Sequence, residues 1–168
     1  IIEEDCVLKI DFFHFCEELL PLYQNEDRVM QVSAHNPAGS DVKSHEYYFG
    51  RNSYIWGWAT WRRAWDKMDM NMTAWPSVTF SSLIKKLGLI QATYRNYVWN
   101  KAYQNLNTLS SWATRWGLSI LVNEGVCISP KANMCKNIGI DADGGTHYYK
   151  GYEDPYKYLK FGEILNPI

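Results

Sequence analysis

At 168 residues the chain has the size of one domain and is long enough to bury a real core. Its 17 Lys and Arg nearly balance 18 Asp and Glu, for a formal net charge of −1. No basic block is present to grip a phosphate backbone, which argues against nucleic acid as a partner. No apolar run reaches the roughly 20 residues needed to span a bilayer, and no signal-peptide pattern is visible. The four cysteines, Cys6, Cys16, Cys127 and Cys135, show no CxxC spacing, which argues against zinc. Buried thiols in a cytoplasmic protein are the simplest account of them, with disulfides left open. Attachment to the inner face of a membrane also stays open. Eight Trp, 12 Tyr and six Phe supply either faces for sugar rings or a Trp-rich core.

The chain does not begin with Met, and its start looks like a cut through a domain. Ile1 and Ile2 read as the end of a buried strand, with Glu3-Glu4-Asp5 at its carboxyl end. Asp11 reads as the N-cap of a helix over about 12–23, whose apolar face is Phe12, Phe13, Phe15, Cys16, Leu19 and Leu20. Pro21 ends or kinks it. A second strand follows over 29–33, then a loop over 35–46 and a short strand over 47–49. Strand, helix, strand is the grammar of an α/β sheet. Trp56-Gly57-Trp58 leads into a helix over 60–68 with Trp61 and Trp65 on one face. A polar loop over 70–77 precedes helices over about 81–89, 94–106 and 111–123. A strand over 125–129 closes at Pro130. Residues 137–145 form a Gly- and Asp-rich loop, and the tail over 152–168 has no assigned structure.

Four constellations could carry chemistry. The Glu3-Glu4-Asp5 acids, at the carboxyl end of a strand where such sheets bind ligands, could hold Mg²⁺ or Mn²⁺ through oxygen; the alternative is a solvated acidic turn. Within residues 54–65, Gly57 permits close backbone approach or an unusual φ, and Trp58 could wall a sugar. Arg62 and Arg63 could reach a phosphate, while Trp61 and Trp65 read as structural. Arg115 lies between Trp112 and Trp116, set to pair with phosphate, with Glu3 or Glu4, or in a structural ion pair. Asp141, Asp143 and His147 share a flexible Gly-rich loop suited to closing over a ligand, where His147 could ligate a metal. An EF-hand is excluded there because the downstream Glu is missing.

In order and spacing these pieces resemble bacterial nucleotide-diphospho-sugar transferases of the GT-A fold, glycosyltransferase family 2-like. More distantly they are similar to the N-acetylglucosaminyltransferase I type. The resemblance runs over about residues 1–148 and is most specific in Trp56-Gly57-Trp58-Ala59-Thr60-Trp61-Arg62-Arg63-Ala64-Trp65. It implies an α/β, partial GT-A fold, a mixed sheet flanked by helices, without the N-terminal half that grips the nucleotide. Residues 1–150 would form the metal-end and acceptor-side part and 151–168 a C-terminal tail. Asp5 would be the metal ligand, and Glu3 and Glu4 would contact the donor's ribose or sugar. Gly57 and Trp58 would line the sugar pocket, and His147 would lie near the diphosphate or metal. The implied reaction is metal-assisted transfer, with Mn²⁺ or Mg²⁺, from a nucleotide-sugar donor to a saccharide or lipid-linked acceptor. Two positions depart from the family pattern. Glu4 replaces the middle Asp of the usual Glu-Asp-Asp triplet, and Ala113 stands where some relatives carry an Asp beside the Trp. The general base is then unassigned among Asp66, Asp141 and Asp143. A non-catalytic carbohydrate-binding remnant is the alternative, and a chain without its first half could self-associate through the surface left uncovered.

Overall fold

The structure, a computed structural model, describes residues 1–37, 47–108 and 111–139. Its centre is strand β2 (Val29–Ser33), buried at all five positions. A strand covered on both faces cannot alternate apolar with polar, and this one does not. On one side β2 pairs in parallel with β5 (Val126–Pro130), Val32 opposite Ile128. On the other side it pairs antiparallel with β4 (Trp58–Ala59). Strand β3 (Tyr47–Gly50) lies antiparallel along the far edge of β5, so the order is β3-β5-β2-β4. This is a mixed sheet in a mixed α/β fold.

A bulge in β2 decides which side chains face which layer. Val29 opposes Val126 while Gln31 opposes Cys127, so β2 has one extra residue over that step. Val29 and Val32 therefore share the face covered by helix α1 (Ile10–Leu22), with Phe12, Phe15 and Leu19. Met30 goes to the other face, which packs on helix α5 (Trp112–Val122) through Trp116 and Ile120. Arg115 through Leu121 are all buried, because α5 has a layer on each side. Its outer side meets helices α3 (Phe80–Leu87) and α4 (Leu89–Gln104) in a cluster of Trp75, Leu83, Ala92, Trp99, Leu118 and Leu121. The Trp99 indole donates to Thr114 O at 3.0 Å, tying α4 to α5.

Two short strands escape the pattern of the sequence. β1 (Cys6–Leu8) and β6 (Cys135–Asn137) form an antiparallel ribbon, Cys6 opposite Asn137. The ribbon joins the carboxyl end of β2 through Met134 N–H to Ala34 O, 2.9 Å.

Several expected elements differ. Ile1 and Ile2 are not strand, although Ile1 exchanges both backbone bonds with Trp58, at 2.7 and 3.0 Å. Lys9, not Asp11, is the N-cap of α1; Asp11 sits in the first turn, where its charge suits the helix dipole. The helix expected over 60–68 shrinks to one turn, α2 (Arg62–Trp65). Thr60 donates to Met30 O at 2.6 Å and Trp61, in extended backbone, to Leu20 O at 2.9 Å, so both are held to their neighbours outside the helix. Trp61 packs towards α1, while Trp65 contacts Trp58 and Trp116, so the two do not share a face. The tail over 151–168 lies outside the described residues.

Gly57 has φ +66°, and a Cβ there would strike the Leu8 side chain and lie 3.3 Å from Ala34 Cβ. Both strain and overlap oppose any side chain. Gly57→Ala is expected to cost about 2–4 kcal/mol in urea unfolding, part of it recovered by adding Leu8→Ala. A cost below 1 kcal/mol would refute this account of the ribbon's contact with the sheet.

Candidate functional site

Trp58 pairs with Ile1 on one side and with Ser33, the last residue of β2, on the other. The chain therefore leaves the sheet beside the carboxyl end of β2 and turns through Glu3, Glu4 and Asp5 into β1. Cys6 N–H closes that turn on Glu3 O at 3.0 Å. The acids thus reach the expected end of the sheet, but at the start of a strand and not the finish of one.

The turn gathers ligand atoms. A carboxylate oxygen each from Glu3 and Asp5 and the Cys6 Sγ lie within 4.8 Å of one another, all partly exposed. Cys6 Sγ is 3.7 Å from Asp5 Oδ1. Gly139 makes room for the Asp5 carboxylate, since a Cβ there would stand 2.5 Å from Oδ2 and 2.9 Å from the Asp5 Cβ. Ile138 N–H to Asp5 O, 2.8 Å, holds the two strands together at this point. Cys135 adds a second thiol beside the first. Its hydrogen bond with Cys6 and then its burial push its pKa upward, with Asp5 and Glu3 adding to the effect. All four cysteines are free.

Two carboxylates fit a hard divalent cation, with water completing the shell. The Cys6 thiol is a softer donor than Mg²⁺ prefers and is better tolerated by Mn²⁺. Glu4 is exposed beside this set.

The other candidate residues scatter. Trp58 is fully buried, and the face expected to wall a sugar is taken by Trp112, stacked on it at 5.5 Å and 22°. That expectation is corrected: Trp58 is core, and the half-buried Trp112 is its cover. Gly57 is buried too, its small size serving Leu8 and not a ligand. Arg62 is exposed on α2, and Asp66 is exposed at that helix's C-cap. Arg63 donates to Tyr23 O and Gln24 O at 2.7 Å and covers Trp61, a structural clamp on the end of α1. Arg115 donates to Leu106 O at 2.7 Å and faces α4. Asp141, Asp143 and His147 lie outside the described residues.

A polar group at the same end of the sheet was not anticipated. His35, two residues beyond β2, is 4% exposed between Tyr54 and Trp56. Asn36 N–H donates to Asn133 Oδ1 at 3.0 Å and its side chain to Lys131 O at 2.7 Å. Their only sequence signal was position, directly after an all-buried strand. Burial pushes His35 down to about 4, against a hydrogen bond with Asn133 that opposes the shift.

Comparison with protein-family models, curated proteins and solved structures returned no match. No helix among the described residues is long and apolar enough to cross a membrane.

The His35 shift has a sign that can be checked. Its folded value, about 4, lies below the 6.5 of an ordinary histidine, so the unfolded chain takes up the proton first as pH falls. Stability from this group is complete above about pH 6.5 and is lost between there and about pH 4, on the order of 3 kcal/mol in all. Urea unfolding at pH 7, 5.5 and 4 should show that decline in the parent chain and a shallower one in His35→Gln. Equal slopes would mean that His35 is not held neutral.

Proposed function

We propose that the chain is the metal-end and acceptor-side part of a GT-A-like glycosyltransferase. It would move a sugar from a nucleotide-diphosphate donor to a saccharide or lipid-linked acceptor. The observation that supports this best is the Glu3–Asp5–Cys6 turn, delivered to the carboxyl end of β2 with Gly139 clearing space for the Asp5 carboxylate. Sheet ends of this kind are where α/β proteins bind ligands.

In this reading Asp5 is the principal ligand of a Mn²⁺ or Mg²⁺, and Glu3 orients beside it. The cation, when bound, supplies neutralising charge for a departing diphosphate. Glu4, exposed next to them, accepts hydrogen bonds from a ribose or sugar hydroxyl. Inversion at the sugar would require a base within hydrogen-bond reach of the acceptor hydroxyl. Asp66 is the candidate among the described residues, with Asp141 and Asp143 beyond them.

A second reading, a carbohydrate-binding remnant of the same fold, is favoured by one observation. Position 113, in the first turn of α5, is Ala, which can neither take a proton nor hold a sugar hydroxyl.

Paramagnetic broadening by Mn²⁺ tests the metal turn directly. Asp5→Ala is expected to remove the broadening of amides at residues 3–6, and Gly139→Ala to weaken Mn²⁺ binding about tenfold by displacing Asp5. The paired readout is Mn²⁺-dependent hydrolysis of sugar nucleotides by the native protein, abolished in Asp5→Ala. Metal-independent glycan binding with no donor hydrolysis would transfer the assignment to the remnant reading, and unchanged turnover in Asp5→Ala would defeat the transferase one.

A further inference from the structure

Charge is unevenly placed along this chain. Residues 70–123 contain no Asp or Glu, yet carry Lys85, Lys86, Arg95, Lys101 and Arg115. That is a formal +5 over the stretch in a chain whose total is −1, with Lys86 paired to Glu124 just beyond it. The acid-free stretch builds α3, α4 and α5, the helical layer on one side of the sheet. Anions are attracted to such a body wherever it has a concave surface.

It has one. A cavity of about 320 Å³ opens between α4 and the start of α5. Tyr94, Tyr97 and Lys101, spaced three and four residues apart, line it from α4. Ser111, Thr114 and Arg115 line it from the other side. Arg115 is 8% exposed, a guanidinium held inside the fold. Tyr94 and Tyr97 are 59% and 64% exposed, the Tyr94 ring with Arg95 over it at 5.9 Å, so ring surface is open at the cavity. Ser111 is the N-cap of the 11-residue α5 and makes no side-chain capping bond, so the helix's positive end opens at the cavity's edge.

We infer that this cavity is a binding site for a phosphorylated monosaccharide. Lys101, Arg115 and the α5 N-terminus supply the charge that a phosphate requires. The tyrosine rings supply flat faces for the C–H side of a sugar ring, and Ser111 and Thr114 supply hydroxyls for its edge. The volume lies at the low end for small-molecule pockets, which fits one sugar unit and not a polymer. The inference stands on the cavity and on the charge around it, and needs neither the acidic turn nor a transferase reaction.

The test uses the full chain without metal or nucleotide, so its failure is separate from that of the transferase reading. Glucose 1-phosphate is titrated while the amide resonances of Ser111, Thr114 and Lys101 are followed, with methyl glucoside and inorganic phosphate in parallel. Saturable shifts are expected with glucose 1-phosphate, weaker ones with inorganic phosphate and none with methyl glucoside. Lys101→Ala and Tyr97→Ala change exposed side chains, leave the fold intact and should each weaken binding about fivefold to tenfold, the size of one charge-assisted or stacking contact. Arg115→Lys keeps the charge but loses the planar fork and should also weaken it. Absence of shifts at these amides, equal response to methyl glucoside, binding of inorganic phosphate as tight as the sugar phosphate, or full affinity in Lys101→Ala would each overturn the proposal.

Discussion

The amide of Gln31 is the constraint on which the rest of the molecule depends. It is fully buried in the middle of the central strand, where a polar group must be bonded or cost about 1–3 kcal/mol per lost partner. Its nitrogen donates to Ser33 Oγ, 2.7 Å, and to Tyr54 O, 2.5 Å. Its oxygen accepts from the Trp116 indole at 2.8 Å. One side chain thereby fixes the strand, the segment leading into β4, and the central helix α5. The bulge that separates Val29 from Gln31 is what lets this happen. Without the extra residue, Gln31 would share a face with Val29, under the apolar side of α1. The sheet's two faces are therefore of different kinds, one apolar and one built around a satisfied polar node.

From that node the candidate site follows by short steps. Ser33 ends β2 and pairs with Trp58; Trp58 pairs with Ile1; and the acids come next in the chain. The β1–β6 ribbon then anchors the turn from its other side, through Ile138 and Gly139. Each link is a backbone pairing or a close steric contact, so the acids are positioned by rigid elements. The same links make the tryptophans structural. Trp58 supports the pairing with Ile1 only by standing in the core against Trp65, Trp112 and Trp116. Its own indole N–H has no hydrogen-bond partner among the described residues. A buried orphan donor is tolerated there because three other indoles pack around the ring.

Elements whose stability is local or whose burial is complete were legible in the sequence. β2 has no polar alternation because it has no solvent side, and α1 shows its apolar spacing because one face alone is covered. What was illegible depends on partners far away in the chain. β1 and β6 have three residues each, too few to show a period, and exist because each pairs with the other across some 130 residues. The helix expected through the Trp block failed because Thr60 and Trp61 bond to β2 and α1, and such tertiary bonds override spacing. The acids of the turn were recognisable as potential ligands from type alone. Cys6 and Gly139 were not, since one completes the cluster only through the turn and the other only through the ribbon. His35 carried no signal beyond its place after β2.

The two informative features of the composition then separate. The aromatic content fits a sugar-handling surface and a Trp-rich core equally well when read as a count. In the fold Trp58, Trp75, Trp99 and Trp116 are all buried, three of them making indole hydrogen bonds, so half of the eight Trp residues are accounted for by packing. Charge is different, because burial seldom explains it. A near-neutral total conceals a long acid-free helical stretch and an acid-rich turn at the sheet's end. Lys86 is paired with Glu124, which directly follows the stretch, so part of its positive charge is offset at contact distance. The acidic turn is suited to a cation and the helical cavity to an anion.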